Sequence, residues 1–194
     1  GAAPPQLVST TIIGLRTSGA SWIGMRESAT APNITAISTA AITASLFSSA
    51  SEGGKGGDIY YFSVCGADVL TRVALADVVG HGQGVSDVSQ WLYDGLVEYM
   101  HNIDGHDILT KLNRRAVERE FDALTTAATA GIYRAESRLF FSYAGHPPVL
   151  YRPVADGAWR ELTSERFRRN STTNLPLGVG QDTEYAQDHL PLQA

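Results

Sequence analysis

Two stretches in the middle of the chain repeat apolar residues at the spacing of a helix. From residue 85 onward the apolar positions are three or four residues apart, which places them on one helical face. They are Val85, Val88, Leu92, Leu96 and Met100. This spacing predicts a first helix over about 84–102. Residues 104–107 supply capping side chains for a second amphipathic stretch, which predicts a helix over about 107–120.

Apolar runs of a different kind precede these helices. Residues 59–64 and 69–79 are nearly continuous apolar runs joined by the short turn 66–68, the pattern of two paired strands. A glycine-rich segment leads into the first of them. The β-branched residues at 10–13 and 34–43 favour strands in the first quarter of the chain as well.

Strand patterns return after the helices, at 125–133, 139–144 and 149–152. Their connections are too short for parallel crossovers, so we expect an antiparallel ribbon. Residues 160–174 are interpreted as a polar loop, followed by a tail to Ala194.

Length and composition are those of an ordinary globular domain. The chain has 194 residues, of which 43% are hydrophobic, enough to fold without disulfides or a structural metal. We interpret residues 1–33 as an N-terminal extension or extra strands and residues 34–194 as the domain. The single cysteine, Cys65, cannot form an internal disulfide, and we therefore expect a cytoplasmic protein.

The charge pattern argues against two kinds of partner. Fifteen basic and twenty acidic residues give a net charge of −5, which disfavours a general nucleic-acid binder. The uncharged run 28–51 is crowded with serine and threonine and contains Pro32 and Asn33, so membrane insertion of this segment is not expected.

Two aspartates interrupt apolar sequence where an unpaired carboxylate is costly. Asp58 follows paired glycines at a strand entry, and Asp77 lies at a strand exit before Gly80-His81-Gly82. If the two strands are neighbours, both carboxylates can converge on Mg²⁺ or Mn²⁺, which prefer oxygen ligands. The alternative is that Asp58 caps a turn and Asp77 caps the first helix.

Two histidines are candidates for the same region. His81 lies at the predicted start of the first helix, where contact with a metal or phosphate competes with a backbone hydrogen bond in a turn. His146 lies in a rigid Ala-Gly-His-Pro-Pro corner, and we interpret it as a structural residue that braces the loop beneath a site.

Four motifs in order resemble the SpoIIE-type serine phosphatases, the bacterial branch of the metal-dependent PPM (protein phosphatase 2C) phosphatases. The motifs are Gly56-Gly57-Asp58, Ala76-Asp77-Val78-Val79-Gly80-His81-Gly82, Ala144-Gly145-His146-Pro147-Pro148 and Leu175-Pro176-Leu177-Gly178. The resemblance covers about two-thirds of the chain, since the first fifty residues match only as an approach strand.

The resemblance implies the α+β class and a PPM-type α-β-β-α sandwich of two antiparallel sheets flanked by helices, with a binuclear Mn²⁺ or Mg²⁺ site. Asp77 would bridge both metals, the carbonyl of Val78 would help to hold one of them, and Asp58 would hold its metal or a metal-bound water. The implied reaction is hydrolysis of phosphoserine or phosphothreonine by a metal-activated water. The implied substrate is a phosphorylated regulatory protein of the anti-sigma-factor antagonist type, in a partner-switching pathway.

The chain also departs from the family pattern. Val79 replaces a frequent serine, and Lys55 precedes the glycine pair where an apolar residue is usual. Family members continue into a Thr-Asp-Gly motif and an acidic pair that complete the second metal position, whereas this chain stops first. We therefore expect at most one weakly bound metal, little activity of the chain alone, and a homodimer as one way to cover open strand edges. The alternative function is a non-catalytic, phosphatase-like interaction or dimerisation module.

Overall fold

The structure of the chain is a computed structural model. It describes residues 10–17, 22–24, 34–38, 42–49, 58–65, 69–79, 83–102, 104–119, 123–153, 155–168 and 173–192, the first four ranges as backbone alone. In chain order the elements are β1 Thr10–Thr17, β2 Trp22–Gly24, β3 Ile34–Ser38, β4 Ile42–Ser49, β5 Asp58–Val64, β6 Leu70–Val78, α1 Gln83–Tyr99, α2 Gly105–Glu118, β7 Thr125–Tyr133, β8 Arg138–Ala144, β9 Leu150–Arg152, β10 Arg160–Glu161 and β11 Gln187–Pro191.

The strands form two antiparallel sheets. The first has six strands in the order β10-β9-β2-β1-β4-β3, and the second has five in the order β11-β8-β7-β6-β5. Within the described ranges both helices pack on the five-stranded sheet, α1 against β5 and β6 and α2 against β7 and β8. The α+β class and the two antiparallel sheets are confirmed.

Strand β6 is mostly apolar because both of its faces are buried. Ala74 and Ala76 point towards the helices and belong to one core cluster, whereas Val73 and Leu75 point to the opposite face and belong to a second cluster. The second cluster includes Tyr151 of β9, so it lies between the two sheets. A strand covered on both faces therefore explains the continuous apolar run in the sequence.

The two helices begin and end close to their predicted positions. The side chain of Asp104 accepts a hydrogen bond from the backbone N–H of His106 at 3.0 Å, which caps α2 as expected. Leu92, Leu96 and Met100 are each at most 1% exposed, which confirms the predicted apolar face of α1. Neither described helix combines the length and the apolar character that a membrane span requires.

Several strand boundaries differ from the sequence prediction. The β-branched stretch 34–43 contains β3 and the start of β4, two strands that pair with each other. The region interpreted as a polar loop contains β10 and a 3-10 turn at Glu165–Arg168. The tail contains β11, which pairs with β8. Charged and polar residues conceal these strands because they lie at sheet edges, where such side chains are tolerated. The turn 66–68 lies outside the described residues.

Candidate functional site

Asp58 and Asp77 lie directly opposite each other on neighbouring strands. Strand β5 starts at Asp58, β6 approaches its end at Asp77, and the antiparallel register pairs these two residues. Side chains of a directly opposed pair lie on the same face, with Cβ atoms about 4.5–5.5 Å apart. The structure therefore brings together the two carboxylates that the sequence singled out, as neighbouring strands would require.

The two carboxylates repel each other. Asp77 is an exposed residue in an otherwise buried strand. Even so, the protein atoms packed around its carboxyl raise the pKa of Asp77, and the charge of Asp58 and a hydrogen bond shared with it raise this pKa further. The nearby imidazole of His146 acts in the opposite direction. Two like charges held at one strand end form a place where a cation would be stabilised.

His146 follows strand β8 and lies near this acidic pair. The residue before it, Gly145, forms a parallel bridge with Ala127 on β7. Nδ1 of His146 donates to the carbonyl of Pro147 at 2.8 Å, because a carbonyl can only accept, and this leaves Nε2 available. Burial lowers the pKa of His146, while the Pro147 carbonyl and the charges of Asp77 and Asp58 oppose that effect.

The bond to the Pro147 carbonyl agrees with the interpretation of His146 as a residue that braces its loop. Its ring also lies near enough for the charges of Asp77 and Asp58 to raise its pKa against the effect of burial. The Ala-Gly-His-Pro-Pro motif was the signal in the sequence. Its meaning depends on a bridge between distant segments, which local spacing cannot reveal.

The fourth motif reaches the same end of the sheet. The backbone N–H of Leu177 donates to the carbonyl of Thr125 at 2.9 Å, and Thr125 is the register partner of Val78. The Val78 side chain is 1% exposed, which anchors the backbone that follows Asp77. Val79 N–H donates to the Leu124 carbonyl at 2.9 Å and ends the pairing. His81 and Lys55 lie outside the described residues.

Asn113 holds the fourth motif against helix α2, and no sequence pattern marks this residue. Its side-chain oxygen accepts from the backbone N–H of Gly178 at 2.9 Å, and its Nδ2 donates to the carbonyl of Gly180 at 2.9 Å. The residue is 2% exposed. A buried amide that satisfies two backbone groups of a loop fixes the position of that loop.

Replacing Asn113 by alanine should therefore destabilise the protein. Two backbone groups would lose buried partners, and we expect the free energy of unfolding to fall by about 2–4 kcal/mol. Chemical denaturation measures this change. The control is Lys111→Ala on the exposed face of the same helix, where loss of the ion pair with Asp107 should cost less than about 0.5 kcal/mol. Equal effects of the two substitutions would contradict the structural role of Asn113.

The donor chemistry at the strand end fits a hard divalent cation. Asp58, Asp77 and the carbonyl of Val78 offer oxygen atoms, which Mg²⁺ and Mn²⁺ prefer, and these ions keep several waters. Within the ranges that the structure describes, no group of three or more histidine, cysteine, aspartate or glutamate side chains is arranged to hold a metal. The described residues thus fit one cation with an incomplete protein shell.

Comparison with solved structures identifies the same fold in other proteins. The structure of RsbX in complex with magnesium matches with a TM-score of 0.65 at 17% identity. The match covers 83% of this chain and 73% of the RsbX chain. The RsbU and RsbW domains of Rv1364c from Mycobacterium tuberculosis give 0.60 at 22% identity, covering 73% of this chain but 38% of that one. The SiaA-PP2C domain of Pseudomonas aeruginosa gives 0.53 at 19% identity, with coverages of 71% and 52%. At these identities the likeness establishes the fold alone.

The family itself follows from sequence comparison. A search of curated proteins gives no match. The sequence model of the family described as Stage II sporulation protein E (SpoIIE) matches residues 68–194, well over half of the chain. The matched range includes Asp77, His146 and Leu177. Because this match spans more than half of the chain, the chain belongs to the SpoIIE family.

Proposed function

We propose that this chain is a metal-dependent protein phosphatase domain that hydrolyses phosphoserine or phosphothreonine on a regulatory protein. The observation that carries the proposal is the direct opposition of Asp58 and Asp77 across β5 and β6. Membership of the SpoIIE family supports the phosphatase class. The match of RsbX, a structure described in complex with magnesium, supports the choice of cation.

In this mechanism Asp58 and Asp77 would hold Mg²⁺ or Mn²⁺, with the carbonyl of Val78 as a further oxygen donor. When bound, the metal lowers the pKa of a water and neutralises phosphoryl oxygens, as required for in-line attack on phosphorus. The buried Val78 side chain keeps the strand end rigid, so that the two carboxylates keep their separation. The donor bond of Nδ1 to Pro147 orients His146 with Nε2 free to exchange a proton at the site.

The charge of the chain and its family support a protein substrate. A net charge of −5 disfavours nucleic acid. A phosphorylated regulatory protein of the anti-sigma-factor antagonist type is the substrate we propose. No protein nucleophile is required, because the attacking group is water.

Metal removal and restoration test this function. We expect the chain to hydrolyse a phosphoserine protein when Mn²⁺ is present, to lose this activity in EDTA, and to regain it when Mn²⁺ is added back. A parallel thermal scan should show Mn²⁺ raising Tm, since a ligand that binds the folded state stabilises it. Activity that is unchanged by EDTA would overturn the proposal, and so would the absence of both activity and metal-dependent stabilisation.

A non-catalytic interaction module is the second candidate, and the outer edge of β5 favours it. Among the described strands β5 pairs only with β6. Tyr60 on β5 and Tyr93 on α1 are 45% and 43% exposed. An open strand edge beside exposed aromatic rings is suited to pairing with a second copy. Sedimentation that shows a dimer, together with no response to Mn²⁺, would support this function in place of the first.

A further inference from the structure

A small cavity lies beneath the N-terminus of helix α2, between the helix and the five-stranded sheet. Its volume is about 10 Å³, and its lining includes Arg72, Gly105, Thr129, Gly131 and Gln187. Arg72 lies five residues before Asp77 on β6, which is about 16 Å along an extended strand. The cavity is therefore separate from the candidate phosphatase site.

Arg72 contributes a buried positive charge to this cavity. The residue is 8% exposed, Nη2 donates to the carbonyl of His101 at 2.6 Å, and Nε has no hydrogen-bond partner. None of the carboxylates in the described ranges forms an ion pair with it. Its register partner is Gly131, which has no side chain and leaves room above the strand. A buried guanidinium with an unused donor is costly unless an acceptor satisfies it.

Two buried hydroxyls point to the same place. Thr129 and Ser142 are register partners on β7 and β8, are 4% and 0% exposed, and neither hydroxyl has a hydrogen-bond partner. Both face the first residue of α2. A Cβ atom added to Gly105 would lie 2.6 Å from Thr129 Oγ1 and 3.0 Å from Ser142 Oγ. The polar atoms of two strands thus converge on the N-terminus of a 14-residue helix.

The polar atoms left unpaired around this cavity can all donate a hydrogen bond; they are Nε of Arg72 and the hydroxyls of Thr129 and Ser142. The cavity lining contains the guanidinium of Arg72 and no aspartate or glutamate. The first amides of α2 are already satisfied, since Gly105 N–H donates to Gln187 Oε1 at 2.6 Å and His106 N–H donates to the Asp104 carboxylate at 3.0 Å. The guanidinium of Arg72 and the hydroxyl of Thr129 therefore form the complement to a small anion. The volume admits one small particle and excludes sulfate or phosphate.

We propose that this cavity binds a monovalent, monatomic anion of the size of chloride. Arg72 Nε and the hydroxyl of Thr129 would donate to the anion. The anion would neutralise the buried guanidinium and connect β6 and β7 to the start of α2. Its role is to stabilise the packing of α2 on the sheet.

The test replaces chloride by gluconate in the metal-free protein at constant ionic strength. We expect chloride to raise Tm by about 3–5 °C at saturation. In Thr129→Val this response should be lost, because the substitution keeps the shape and removes the donor. In gluconate the same variant should be at least as stable as the wild type, since it no longer buries an unpaired hydroxyl.

The matched control is Thr125→Val on the same strand. Thr125 is 3% exposed, but its hydroxyl already donates to the carbonyl of Ala123 at 3.3 Å. We expect this variant to keep the full response of Tm to chloride. A response that is absent in the wild type, or that persists in Thr129→Val, would overturn the proposal.

Crystals of the wild-type chain grown in bromide provide a test that needs no variant. An anomalous peak within hydrogen-bond distance of Arg72 Nε and Thr129 Oγ1 is the expected result. A site that refines as water in bromide, with no anomalous signal, would overturn the proposal.

Discussion

Asp77→Asn is expected to stabilise the metal-free protein and to abolish its response to metal. The substitution removes one of two like charges that the register of β5 and β6 holds opposite each other. It also removes a ligand, and we expect the affinity for Mn²⁺ to fall by more than about 100-fold, because even partners in the outer shell of a metal contribute 10–100-fold. Thermal scans in EDTA should show a higher Tm for Asp77→Asn than for the wild type. Addition of Mn²⁺ should leave the Tm of the variant unchanged.

The control for this experiment is Asp94→Asn. Asp94 lies on helix α1, where its carboxylate accepts from Gln90 at 2.9 Å in an exposed hydrogen bond. It carries the same charge and undergoes the same chemical change, but it lies away from the candidate site. We expect its response to Mn²⁺ to equal that of the wild type. A loss of metal dependence in both variants would contradict the assignment of Asp77.

The stability difference between Asp77→Asn and the wild type should depend on pH in a defined direction. The folded state raises the pKa of Asp77, so the wild type loses stability as the pH rises through that pKa. In the wild type at low pH the carboxyl is protonated and the repulsion disappears. The advantage of the asparagine variant should therefore be largest near neutral pH and shrink on acidification, as denaturation with urea in EDTA would measure. An advantage that grows on acidification would exclude repulsion as its cause.

The two aspartates were predictable from the sequence because each breaks an apolar run. A carboxylate at the end of a buried strand has a physical cost that single-residue inspection can detect. Their register is set by the hairpin of β5 and β6, which the two apolar runs also predict. Both helices follow from similar local patterns, whereas the fold class was predicted from the family resemblance of the four motifs.

The position of His146 near the two aspartates was not predictable from local sequence patterns. It depends on the bridge between Gly145 and Ala127, which joins two distant parts of the chain. The cavity at Arg72 and Thr129 depends on register across three strands. Strand β11 was missed because Gln187, Asp188 and His189 lack an apolar pattern, although their backbone pairs with β8. These features depend on tertiary pairing between strands, which the local propensities of single residues cannot predict.

Gly145→Ala is expected to cost about 2–4 kcal/mol of folding free energy through two separate effects. The residue has φ of +61°, a left-handed conformation that alanine adopts at a cost. Its new Cβ would lie 2.5 Å from Cγ, 2.8 Å from Cδ and 2.9 Å from the backbone nitrogen of Pro176. Because the nitrogen belongs to the main chain of the fourth motif, relief of the contact requires that the loop or the His146 corner shift.

Two further substitutions separate these effects. Pro176→Ala in the Gly145→Ala background removes the Cγ and Cδ contacts, so it should restore part of the stability and leave the cost of the left-handed backbone. Gly84→Ala on α1, where a Cβ would meet nothing within 4 Å, should leave stability unchanged or raise it by up to about 1 kcal/mol. Urea denaturation of the four proteins measures the free energies. Because His146 follows Gly145 directly, Gly145→Ala should also reduce phosphatase activity by more than its loss of stability explains. Equal activity of the folded fractions of the two proteins would show that the corner does not position the imidazole.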